Sequence, residues 1–139
     1  MFLLKTSTIT FLLFSLFSCA SPLNDMMNND FVALNPKPVP SHMAGIWSGS
    51  MGPYLTTFQW NKNGHGLYCY SWNTTEALQK TKYLGNSITN QDGTKLVVKS
   101  IDTDLMTLDV GYAFGKSYKF YRDNSLKNAS PYCALKLKQ

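Results

Sequence analysis

From Gly45 onward, apolar and polar positions alternate in short runs that are separated by turn residues. Residues 54–60 place Tyr54, Thr56, Phe58 and Trp60 on one face of an extended chain, as the two-residue period of a strand requires. The run before it, 45–51, reads as a first strand. Asn63-Gly64 after it is a hairpin signal, because Asn and Gly accept the positive φ of a tight turn. Residues 66–72 return, and further strands are read at 94–101, 105–112, 116–122 and 132–138. Turns at Gln91-Asp92-Gly93 and Asp102-Thr103-Asp104 punctuate them. Residues 73–84 are ambiguous, since 75–80 fits either a short helix or a polar strand. Seven to eight short strands at regular spacing predict an all-β domain, a small antiparallel meander barrel or a sandwich.

Upstream of this domain the pattern changes twice. Residues 6–17 form an apolar stretch behind Lys5. The stretch is too short to span a membrane, which takes about 20 residues, and has the length of an export signal's core. Residues 19–44 then carry Pro22, Asn24, Asn28, Asn29 and the run Pro36-Lys37-Pro38-Val39-Pro40. Alternating prolines favour an extended polyproline II segment, so this region reads as a flexible tether. Its alternative is that 31–34 adds a short strand to the fold. The expected organisation is a signal peptide at 1–18, a modified N-terminus and tether at 19–44, and the β domain at 45–139.

Leu16-Phe17-Ser18-Cys19 resembles the lipobox of bacterial lipoproteins, with Leu three positions before the cysteine and Ser directly before it. The resemblance implies cleavage after Ser18, a diacylglyceryl thioether on Cys19, and an acyl chain such as palmitate on its amine. Several chains hold a protein stably where one holds it marginally. Ala20, standing where Asp would direct retention, implies sorting to the outer membrane, with the protein facing the periplasm. The same residues also fit an ordinary secretory signal, because Ser18-Cys19-Ala20 is a small-x-small cleavage site that would release a soluble product.

The 139 residues, less the signal, suffice for one core and not for two. The formal charge of +5 falls to +4 once Lys5 is removed, too weak and scattered for a nucleic-acid partner. Lys116, Lys119, Arg122, Lys127, Lys136 and Lys138 crowd the C-terminal part against Asp123 alone. They suit an anionic surface, or simply form a solvated face. Apart from Cys19, two thiols remain, Cys69 and Cys133, and an oxidising compartment favours their pairing. Closing so long a loop is worth roughly 4 kcal/mol in the chain-entropy model. A metal site lacks partners, as His42 and His65 sit at no ligand spacing. No nucleophile elbow, zinc-protease motif or phosphate loop is present, so neither catalytic residues nor a cofactor is expected.

Read as a strand, 132–138 puts Cys133, Leu135 and Leu137 on one face, toward the core. A bond to Cys133 would then turn Cys69 inward with Leu67. Tyr68, Tyr70 and Trp72 would point outward as an apolar stripe, a candidate binding surface. The alternative is that these aromatics are buried.

Two further resemblances bear on function. Gly45-Ile46-Trp47 is similar to the G-x-W of the first strand in lipocalins, Thr103-Asp104 to their later T-D-Y, and Arg122 stands where that family packs an arginine over the tryptophan. This implies an up-and-down barrel with a ligand cavity. A compact one-disulfide barrel on a lipoprotein also resembles the small periplasmic lysozyme inhibitors, whose first cysteine sits in a Y-x-C; here Leu67-Tyr68-Cys69 has a Tyr directly before the cysteine, and the resemblance implies blockade of a cell-wall hydrolase. The sequence therefore points to a lipid-anchored, non-enzymatic module binding a protein partner or a small apolar ligand. Hydrolase inhibition and a structural envelope role are the alternatives.

Overall fold

The computed structural model describes residues 22–112 and 115–138. The expected signal peptide and Cys19 lie outside the described residues. A short helix α1 (Pro22–Met27) and a 3₁₀ turn (Phe31–Ala33) lead into eight strands. These are β1 (Gly45–Met51), β2 (Tyr54–Trp60), β3 (His65–Trp72), β4 (Thr75–Tyr83), β5 (Ser87–Asn90), β6 (Lys95–Ile101), β7 (Leu105–Val110) and β8 (Ser117–Arg122). A second helix, α2 (Pro131–Leu137), follows. Each strand pairs with the next in antiparallel fashion, and β8 returns to β1, closing an all-β meander barrel. The closing seam pairs Trp47 with Arg122 and Gly49 with Phe120. A Cβ on Gly49 would stand 2.2 Å from the Lys119 carbonyl oxygen, so only glycine permits this approach.

Residues 75–83 are a strand paired along both edges, with β3 and with β5. Ala77, Gln79, Thr81 and Tyr83 face inward, while Glu76, Lys80 and Lys82 project outward beside them. The lumen is filled over much of its depth by Trp47, Phe58, Trp60, Ile88, Met106 and Phe120, all buried. Eight strands enclose a space that such side chains can fill.

Residues 132–138 form α2 and not the expected last strand. Ser130 caps it, its Oγ accepting from the Cys133 amide at 3.1 Å, and Pro131 opens the first turn. Both are established helix-start residues. The helical period puts Cys133 and Leu137 on the buried side and leaves Leu135 72% exposed. The disulfide Cys69–Cys133 thus ties β3 to a helix lying on the outer wall of the barrel. There, Leu137, Leu67, Leu126 and Tyr132 complete a second, smaller core.

That geometry reverses the facing expected for β3. Cys69 is buried under α2 on the outer wall, so Tyr68, Tyr70 and Trp72 turn into the barrel. They do not form an outer stripe.

The segment expected to be a tether is docked on the barrel, Asn29 Nδ2 donating to Gln91 O at 3.0 Å and the chain from Phe31 onward running along the wall. Lys82 Nζ donates to the carbonyls of Phe31 and Leu34 at 2.7 and 2.8 Å and lies over the Phe31 ring. The Lys37 amide donates to Tyr83 O at 2.8 Å and the Val39 amide to Lys62 O at 3.1 Å. The proline run is extended, and its two free N–H groups, on Lys37 and Val39, are used to fix it to the barrel.

Candidate functional site

The two ends of the barrel differ. At one end Val39 and Met43 plug the lumen. Trp47 Nε1 donates to Met43 O at 2.8 Å. The Arg122 guanidinium lies 4.3 Å from the centre of the Trp47 ring and donates to the carbonyls of Thr103 (2.7 Å), Ala44 (3.1 Å) and His42. This is the arginine-over-tryptophan arrangement that the G-x-W resemblance implies. One side chain with five donors ties the segment before β1 to the β6–β7 turn.

The opposite end, where β3 ends and β4 begins, is open. A cavity of about 360 Å³ lies there, walled by Tyr54, Tyr68, Tyr70, Asn90, Asp92 and Tyr112 among others. That volume is near the lower limit for small-ligand sites. The aromatic wall is a continuous column. Tyr68 packs 5.0 Å from Phe58 in the core and 5.4 Å from Tyr70. Tyr70 meets Tyr54 edge to face at 5.3 Å, and Tyr54 meets Trp72 at 5.6 Å. Trp72 ends the column at the rim, 49% exposed.

Polar groups are concentrated on one side of the mouth. Asp92 accepts from the Thr94 amide (2.9 Å), the Thr94 hydroxyl (2.7 Å) and Gln79 Nε2 (3.1 Å). Burial pushes the Tyr68 hydroxyl pKa well up, with Tyr70 and Asp92 adding to the shift. Tyr70 and Tyr112 are raised for the same first reason, with Asp92 contributing at the former and Asp25 and Asp92 at the latter. These phenols are therefore neutral and can donate hydrogen bonds. Asp25 belongs to α1, which packs against the turn carrying Asp92. There, Asn29 Nδ2 donates to Gln91 O at 3.0 Å, and a Cβ on Gly93 would meet the Asp25 carbonyl oxygen at 2.7 Å.

Tyr68, Tyr70 and Trp72, which sequence reasoning singled out, are thus brought together, but inside the mouth. Tyr54, Asn90, Asp92 and Tyr112 were missed as site residues. Tyr54 shares its alternation with Phe58 and Trp60, which points inward from sequence alone, whereas Asn90 and Asp92 read only as turn chemistry. The disulfide lies outside the cavity and positions β3 from behind. Among the described residues no cluster of His, Cys, Asp or Glu could hold a metal ion, and no helix is long and apolar enough to cross a membrane.

A closed eight-stranded meander, plugged at the Trp47–Arg122 end and open at an aromatic mouth, defines a lipocalin-like binding protein. The model of one protein family, described as the bacterial lipocalin LPS transport optimiser YedD, matches residues 28–137. The match covers most of the chain, and the chain belongs to this family. No curated protein and no solved structure matches it. Barrels of this kind typically bind and do not catalyse.

Proposed function

We propose that this protein is an outer-membrane-anchored lipoprotein facing the periplasm, whose barrel mouth binds an apolar ligand or partner group in support of lipopolysaccharide transport. The family's description supplies the process. The observation that carries the reading is the position of α1. Pro22, at the start of α1, follows Cys19 by three residues. α1 packs beside the Asp92 turn, at the open end of the barrel. Leu23, Met26 and Met27 on α1 and Trp72 on the rim are exposed, as apolar residues at a lipid interface are. On this reading, a lipid anchor on Cys19 would bring the mouth to face the leaflet that holds it.

The test is complementation in cells lacking the protein. Wild-type chain is expected to restore lipopolysaccharide at the cell surface. Cys19→Ser should fail and leave the membrane fraction, and Tyr70→Ala and Trp72→Ala should fail while remaining membrane-bound. Full complementation by the two mouth variants at normal levels would overturn the reading.

A further inference from the structure

The mouth carries a chemical preference that its aromatic lining does not by itself specify. Asn90 is 2% exposed and its amide lies in the cavity wall. Its Nδ2 donates to Thr94 Oγ1 at 3.1 Å, but its Oδ1 has no hydrogen-bond partner among the described residues. The amide cannot simply be turned over. Thr94 Oγ1 lies 2.7 Å from the Asp92 carboxylate, which only accepts, so the hydroxyl proton is committed there. The hydroxyl must then accept from its other neighbour, and Asn90 must present nitrogen to it. Asn90 Oδ1 is left as a buried acceptor in a residue that lines the cavity, a group whose desolvation costs about 1–3 kcal/mol until a donor reaches it.

The surroundings indicate what kind of donor. Asp92 stands at the cavity wall and Asp25 beside it, and neither forms a salt bridge among the described residues. In a chain with an excess of cations, these two carboxylates have no cation within ion-pair distance among the described residues. Tyr54, Tyr68 and Tyr70 line the cavity and Trp72 meets Tyr54 at the rim, and aromatic faces carry the negative side of the ring quadrupole. A hydroxyl would satisfy Asn90 but leave the acids unpaired, and a carboxylate would be repelled. An ammonium group satisfies both and gains from the rings.

We infer that the mouth recognises an organic ammonium group carried on an apolar body, with Asn90 Oδ1 as hydrogen-bond acceptor, Asp92 as counter-charge and the tyrosine and tryptophan rings as the cage. This rests on the proposed reading of the mouth as the ligand site. The group is one that a membrane lipid's amine headgroup or a free alkylamine can supply.

The experiment is a titration of the full chain with hexylammonium, 1-hexanol and hexanoate. The alcohol reports on the mouth as an apolar site, and the difference between alcohol and amine reports on this inference. Hexylammonium should bind at least about tenfold more tightly than hexanol, and hexanoate most weakly. Asp92→Asn should reduce that preference by weakening hexylammonium binding more than hexanol binding, whereas Asn90→Ala, which removes the acceptor that both compounds use, should weaken both, with thermal melting confirming that each variant is folded. Dihexanoyl phosphatidylethanolamine competing with hexylammonium, where dihexanoyl phosphatidylglycerol does not, assigns the amine to a lipid; competition by neither assigns it to a free amine. If hexanol binds and hexylammonium binds no better, or if Asp92→Asn keeps the full preference, the ammonium assignment is wrong and the ligand site stands. If neither compound binds, both fall.

Discussion

Single side chains in this barrel do unequal work, and Asp123 shows it. It is buried where β8 leaves the barrel, and its carboxylate accepts from Ser48 Oγ (2.8 Å) and from the amides of Lys127 (2.9 Å) and Asn128 (3.0 Å). Ser48 in turn bonds Thr57 at 2.9 Å, so one carboxylate links β8, β1, β2 and the loop to α2. Asp123→Ala leaves two amides and a hydroxyl without their acceptor, and chemical denaturation should show a loss of about 2–4 kcal/mol. Tyr68 supplies a different expectation. Its pKa is raised, chiefly by burial, above the ordinary value of about 10. The neutral phenol's contribution is therefore complete below pH 10 and is lost as the pH climbs past that value, where the unfolded chain ionises first. Tyr68→Phe should flatten the fall in melting temperature above pH 10, and an unchanged alkaline limb would contradict this. At this scale Trp47 and Arg122 were legible as a pair through their motif. Asp123 was not, because a buried acid and a solvated one look alike in sequence.

Elements were legible where one periodicity dominates. The alternation in β2 and the Asn63-Gly64 turn lead directly to the observed hairpin. The four-residue β5 is too short to carry a period and went unread. The C-terminal segment Pro131–Leu137 satisfies both periods, since Cys133 and Leu137 fall on one face of a strand or of a helix. Ser130-Pro131 held the deciding signal, a cap followed by a first-turn proline. Reading it as a strand had a second consequence, because the inward side of β3 was inferred from Cys133. Alternation reveals which residues share a face but not which face is inward, and β3 is apolar on both. One face meets α2 and the other the mouth. The disulfide therefore holds α2 to the barrel and leaves the barrel's own ladder intact. Replacing both Cys69 and Cys133 by Ala should cost about 2–5 kcal/mol. Hydrogen exchange should rise first at α2 and only later in β1 and β2. Simultaneous loss of protection throughout would show that α2 is integral to the barrel's cooperativity.

For the molecule as a whole, the closed end and the open end divide structure from function. Arg122, Trp47 and Met43 seal one end with a network that any ligand would have to dismantle. The other end presents a ready cavity beside the N-terminal helix, whose side chains are left largely exposed. The barrel architecture could be read from strand spacing and turns, but the cavity could not. It arises where the large residues that fill the lumen give way to Tyr70, Asn90 and Asp92, a boundary set by register across four strands. The central claim is that this mouth is the binding site, and chemical-shift mapping on the isotope-labelled full chain tests it most directly. During titration with 1-hexanol, saturable shifts should be confined to residues 51–54, 68–72, 90–96 and 112 and to the Trp72 indole N–H, with those of Trp47 and Trp60 unmoved. Shifts clustering on the outer wall, or none at saturating alcohol, would contradict it.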